Sequence, residues 1–162
     1  MKNFKIEMKW AFVFSITSLF WVVLEKLFGW HDVAIEKELF GTYFFAIPSV
    51  LIYWLALCDK KNNFFNKNIT WQQGMVTGVY LSFFIALFSP IVQWLSYKFV
   101  SPEFFQNMIR YVVLDKKMTE VAAAAYFCLN SYIKQGVFSS LSIGVVISAI
   151  VAYFLQSHQI KK

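Results

Sequence analysis

Chemistry needs titratable side chains held close together, and this chain offers few. It has two histidines, His31 and His158, and two cysteines, Cys58 and Cys128. A zinc site needs three or four protein ligands, and one histidine beside Asp32 cannot close one. Gly74-x-x-x-Gly78 lies in an apolar run, where this spacing is a helix-packing pattern and not a phosphate loop. No serine has an evident histidine and acid partner, so the chain reads as a non-enzyme with no metal and no cofactor. The remaining candidates are Glu25, His31, Asp32, Gln93 and Gln135, which the span pattern below places near one membrane face. Their structural role would be polar glue between helix ends, with Lys98 or Lys134 neutralising Glu25. Their sharper role would be a shallow ligand-binding pocket open to the outer leaflet.

Four apolar runs must position these residues. No Asp, Glu, Lys, Arg or His occurs between Lys9 and Glu25, or within 39–58, 68–97 and 135–157. About 20 apolar residues of helix cross the ~30 Å hydrocarbon core. The expected architecture is therefore an all-α membrane protein: a single domain of four transmembrane helices, spanning about 8–30, 39–58, 71–98 and 134–157. Composition agrees, with 59% hydrophobic and 15% charged residues. Ion-coupled machines usually carry ionisable groups inside the membrane, and these spans have none at mid-depth. The halves show no internal repeat, so an inverted-repeat transporter has no support.

The net charge of +6 does not point to nucleic acid, because it is confined to one face. With the N-terminus in the cytoplasm, that side carries eight lysines (2, 5, 9, 60, 61, 67, 161 and 162) against Glu7 and Asp59, while the other side is neutral. Lysine bias of this kind sets orientation and favours anionic lipid heads, so both termini are expected in the cytoplasm. The first span has a basic flank, but Glu25-Lys26 stands where a cleavage site would be, so it reads as an uncleaved anchor. Cys58 and Cys128 fall on opposite sides, which forbids a disulfide between them and leaves both as apolar filler.

Local signals refine the spans. Pro48 should kink the second, and Asp59-Lys60-Lys61-Asn62-Asn63 should stop it. Thr70 can cap the third, which at about 42 Å overshoots the core and must tilt, protrude or bend at Pro90. Ser101-Pro102-Glu103 reads as a helix start. Phe104, Phe105, Met108, Ile109 and Val112 then share one face, as in a helix lying in the outer interface. Thr119 caps a second short helix, which makes an extracytoplasmic interfacial pair at about 102–114 and 119–131. Gly74, Gly78, Ser82 and Ala86 recur every fourth residue in span three, as do Gly136, Ser140, Gly144 and Ser148 in span four. Such stripes let helix backbones approach closely. Antiparallel depth sets Gly78 level with Ser148 and Ala86 with Ser140, so the two stripes are expected to face each other; the alternative is a second copy of the chain.

An ordered set of short signatures also resembles a known family. It comprises Lys9-Trp10, Glu25, Gly29-x-His31-Asp32, Phe44-Phe45-Ala46-Ile47-Pro48, Leu55-Ala56-Leu57-x-Asp59-Lys60-Lys61, Gln73-Gly74, Ser89-Pro90-x-x-Gln93, Ser101-Pro102-x-Phe104-Phe105 and Ala125-Tyr126-Phe127. Together they resemble, over nearly the whole chain, the bacterial membrane family known as domain of unknown function 4199. The resemblance implies a multi-pass inner-membrane protein of the Bacteroidota type and carries over no activity, substrate or catalytic residue. The function expected is that of a non-enzymatic accessory or scaffolding component. It would work in the lipid bilayer, with a membrane protein partner or as a homo-oligomer. A small permease, channel or lipid-handling protein is the alternative.

Overall fold

The computed structural model describes residues 4–157, so His158 and the lysines at 2, 161 and 162 lie outside the described residues. Those residues form helices α1 (Lys5–Leu27), α2 (Glu38–Phe44), α3 (Ala46–Asn63), α4 (Trp71–Leu95), α5 (Phe104–Leu114), α6 (Glu120–Tyr126) and α7 (Leu129–Leu155). A 3₁₀ turn at Ile35–Lys37 leads into α2, and a π turn at Ser96–Val100 ends α4. Four segments are long and apolar enough to span a membrane: Lys5–Leu27, Ile35–Asn63, Trp71–Val100 and Leu129–Leu155. Large side chains such as Phe12, Phe20, Phe83, Leu87, Phe138 and Phe154 stand exposed on their outer faces, as a lipid-facing surface requires.

The segments run alternately up and down, which brings both ends of the described chain to one end of the bundle. There Ser157 N–H donates to the Ile69 carbonyl at 2.8 Å and Lys61 Nζ to the Leu155 carbonyl at 2.8 Å. The opposite end, called the cap end below, carries α5, α6 and the loop after α1.

The α4–α7 packing is the most extensive in the bundle, and the small residues explain it. A Cβ built on Gly74 would fall 2.8 Å from the Ala152 Cβ, one on Gly78 would overlap Ser148, and one on Gly144 would overlap Ser82 and the Tyr53 hydroxyl. The buried serines satisfy their hydroxyls locally: Ser82 donates to the Gly78 carbonyl at 2.8 Å and Ser148 to the Gly144 carbonyl at 2.5 Å. Tyr53 and Ser82 share a further 2.8 Å hydrogen bond that ties α3 to this seam.

Several boundaries differ from the sequence expectation, each for a physical reason. The second span is broken at Phe45, which leaves Pro48 in the first turn of α3, where a missing N–H costs nothing. The charges at 59–61 do not stop α3, which continues to Asn63. Asp59 is held by Lys9, Trp10 and Asn63, so the helix can extend through it. Thr70 forms a full capping box with Gln73, and α4 runs through Pro90 before widening into the π turn, closed by Ser101 N–H to the Ser96 carbonyl at 2.8 Å. Ser101 does not cap α5, which starts at Phe104; its hydroxyl is engaged elsewhere. Helix α6 ends at Tyr126, and α7 already begins at Leu129. The apolar stripe of α5 is covered by protein: Phe104, Met108 and Val112 pack with Ile35 and Ala123 in a second core at the cap end.

Candidate functional site

The cap end buries a connected set of polar side chains that the apolar elements around it force together. Helix α1 ends in a turn through Gly29 at φ +74, a conformation glycine adopts without strain. Ala34 N–H closes this turn on the Gly29 carbonyl at 2.8 Å. The turn folds His31 back against the bundle, where only 2% of it is exposed. Its Nε2 lies 3.5 Å from Glu25 Oε2, within ion-pair reach but longer than a close hydrogen bond. Its Nδ1 lies 2.7 Å from the Ser101 hydroxyl at the end of the π turn. The Phe104 ring meets the imidazole edge-on, 4.9 Å between centroids. Asn107 of α5 donates to the His31 carbonyl at 3.1 Å and to Asp32 Oδ1 at 3.3 Å.

Glu25 is held from its other side as well. Trp21 Nε1 donates to Glu25 Oε1 at 2.8 Å and lies 3.2 Å from the Gly41 carbonyl. Gly41 must lack a side chain, because a Cβ there would strike the Glu25 carboxylate and fall 2.9 Å from Trp30 Cε3. Glu38, at the start of α2, interacts electrostatically with both Glu25 and His31. Tyr97 and Tyr132 lie within electrostatic reach of Glu38. One imidazole thus faces the Glu25 carboxylate, with Glu38 within electrostatic reach and a hydroxyl on its far nitrogen.

The structure brings Glu25, His31 and Asp32 into this one cluster and leaves two other candidates outside it. Gln93 packs against Gly136, and Gln135 is exposed with Oε1 3.5 Å from the Tyr126 hydroxyl. Among the described residues, neither bonds to Glu25 or His31. The group facing Glu25 is His31, not Lys98 or Lys134; Lys98 sits over the Trp94 ring at 4.9 Å. The expectation that no serine has a histidine and acid partner is also overturned, since Glu25, His31 and Ser101 lie in the order of a catalytic acid, base and nucleophile. Ser101 is only 2% exposed, however, and its N–H is already spent on Ser96. The arrangement ties the cap to the bundle.

Beside the cluster lies a half-open cavity of about 300 Å³ between the end of α1 and the α2–α3 break. Trp21, Leu24, Phe28, Trp30, Ile47 and Pro48 supply its apolar walls, and Glu25 forms part of the wall shared with the cluster. The terminal end carries a second buried charge site. Lys60 Nζ lies 2.9 Å from Glu7 Oε1, with both side chains almost fully buried. Trp10 Nε1 donates to Asp59 Oδ2 at 2.8 Å beside it. Cys128 differs from the filler expected of it: Ser131, through its hydroxyl and its N–H, and Lys134 hold its thiol below the ordinary range. Among the described residues, no three His, Cys, Asp or Glu side chains group as metal ligands.

Four membrane-length helices around a small-residue seam define a multi-pass membrane protein. The sequence profile of the family described as Protein of unknown function (DUF4199) matches residues 9–157, and the chain belongs to that family. No curated protein and no solved structure matches it.

Proposed function

We propose that this protein is a non-enzymatic membrane component that binds a hydrocarbon chain from the surrounding lipid in the cleft beside Glu25. The observation that carries this reading is the cavity itself. Its volume of about 300 Å³ sits at the lower end of the ~300–1,000 Å³ range of ligand pockets. Apolar walls suit hydrocarbon and give water nothing to bond. The break at Phe45 opens the cleft between the first two spanning segments, where lipid is the surrounding solvent. We place both termini on the cytoplasmic face of the inner membrane, on the strength of the lysines gathered at the terminal end.

Native mass spectrometry of the protein, extracted gently from its own membrane, tests the proposal. A retained lipid that is lost on filling the cleft with Leu24→Trp is the expected result. A stoichiometric protein partner with no retained lipid would replace it with the accessory or scaffolding role. Labelling of Ser101 by a fluorophosphonate probe would overturn the non-enzymatic reading.

A further inference from the structure

We infer that Glu25, Glu38 and His31 form a proton-binding site whose occupancy sets how firmly the π turn and α5 are held to the rest of the bundle. The choice of Ser101 as partner carries the argument. A neutral imidazole can donate from Nε2 to Glu25 and accept at Nδ1 from the Ser101 hydroxyl. A charged imidazolium can donate from both nitrogens, because the same hydroxyl rotates and accepts. A carbonyl or an N–H at that place would fit only one of the two states. With serine there, His31 Nδ1 keeps a hydrogen-bond partner in either protonation state; a ring nitrogen left without one in this buried place would cost about 1–3 kcal/mol.

Carboxylates surround the proposed site. Glu25 Oε2 is 3.5 Å from the ring, and Glu38 interacts with both residues. Two neighbouring carboxylates repel each other, and each attracts a nearby cation. Other ionisable groups at this joint are Asp32, next in sequence to His31, Lys26 on α1, and Tyr97 of the π turn and Tyr132 of α7, both within electrostatic reach of Glu38. Lys26 donates to the Val100 carbonyl, and Asn107 holds Asp32.

The site also lies at a joint. Glu25 belongs to α1 and Glu38 to α2, whereas Ser101 closes the π turn and Asn107 belongs to α5. An imidazolium attracts Glu25 more strongly than a neutral ring does and donates a charge-assisted bond to Ser101, so the π turn is held tighter to α1 with the proton bound. The π turn also leaves the Ser96 hydroxyl buried and without a hydrogen-bond partner among the described residues. π turns of this kind recur where helices carry function.

With two histidines in the chain, a His158→Gln variant isolates the imidazole of His31 for NMR in lipid nanodiscs. Its Cε1–H signal is expected to move through one transition between about pH 5 and 8. Glu25→Gln should lower that midpoint by about one pH unit or more. A signal that stays flat across this range, or a midpoint unmoved by Glu25→Gln, overturns the inference. Should that variant fail to fold, Glu38→Gln carries the same test. Hydrogen exchange over residues 101–114, corrected for intrinsic rates, reads the coupling. Protection should fall as pH rises through the midpoint and should lose this dependence in His31→Gln; protection independent of pH in the parent overturns the coupling.

Discussion

Each end of the bundle buries a glutamate, and the two ends treat it differently. At the terminal end Glu7 faces Lys60 at 2.9 Å, with both side chains almost fully covered. At the cap end Glu25 faces His31 at 3.5 Å, with a second carboxylate nearby and a hydroxyl behind the ring. Lysine and carboxylate side chains carry opposite charges throughout the neutral range, whereas histidine changes charge within it. The first pair is therefore a fixed clamp and the second a conditional one. The helices that meet at each end match this division. Long α1 and α3 meet at the clamp, while at the conditional site α1 meets short α2, α5 and a π turn.

Breaking the fixed clamp should have the largest effect. Lys60→Ala strands a buried carboxylate, and removing one partner of a buried pair costs about 3–5 kcal/mol. The melting temperature in nanodiscs should fall steeply and equally at pH 6 and pH 8. A Glu7→Gln/Lys60→Met double variant should recover most of the loss, because two neutral groups of similar volume leave no uncompensated charge. A double variant no better than the single would show that the pair does more than neutralise itself.

At the cap end, shape holds the carboxylate as much as hydrogen bonding does. Gly41→Ala pushes a methyl group into Glu25 and toward Trp30, and overpacking of this kind costs about 1–3 kcal/mol. Displacing Glu25 should also shift the His31 titration, a readout that a purely steric lesion elsewhere would leave alone. Ser101→Ala should cost less, about 1–2 kcal/mol, since it removes one hydroxyl from a buried ring nitrogen. Its melting curve against pH should differ in shape from the parent's, because the charged ring then strands a buried N–H donor, whose loss of a partner costs more than that of the neutral ring nitrogen. A uniform drop at every pH would make Ser101 an ordinary structural contact.

Much of the fold was legible because its signals are local. The length of an apolar run, the four-residue spacing of Gly74, Gly78 and Ser82, and the Thr70–Gln73 capping pair all lie within a few turns of one helix. The cap-end site was only half legible. Glu25, His31 and Asp32 stand out as polar residues at the edge of a span, but Ser101 lies 70 positions from His31. A π turn and a glycine turn bring the two together, and neither announces a partner. The Glu7–Lys60 pair was hidden for a related reason. Lysines flanking spans usually mark orientation, and Lys60 has that position while being only 4% exposed. The stripe on α5 shows why periodicity underdetermines an environment. Apolar spacing reveals that Phe104, Met108 and Val112 share a face, and says nothing about whether lipid or protein covers it.

The smallest effect is expected where the same chemistry is left in water. Asp115 and Lys117, in the turn after α5, lie 2.9 Å apart and stand about half exposed. Lys117 holds the Asp115 carboxyl below its usual range, first by hydrogen bonding and then by its charge. A lowered carboxyl contributes stability above its ordinary titration range and loses it as pH falls through the lowered value. Any contribution should therefore be constant from pH 6 to 8, the window in which the His31 site is expected to respond. Solvent and salt screen exposed pairs of this kind almost completely. Asp115→Asn should accordingly leave the melting temperature unchanged within error at both pH values, and 0.5 M salt should leave it unchanged as well. A pH-dependent loss in this variant would move the origin of cap-end pH sensitivity from the buried imidazole to the surface turn.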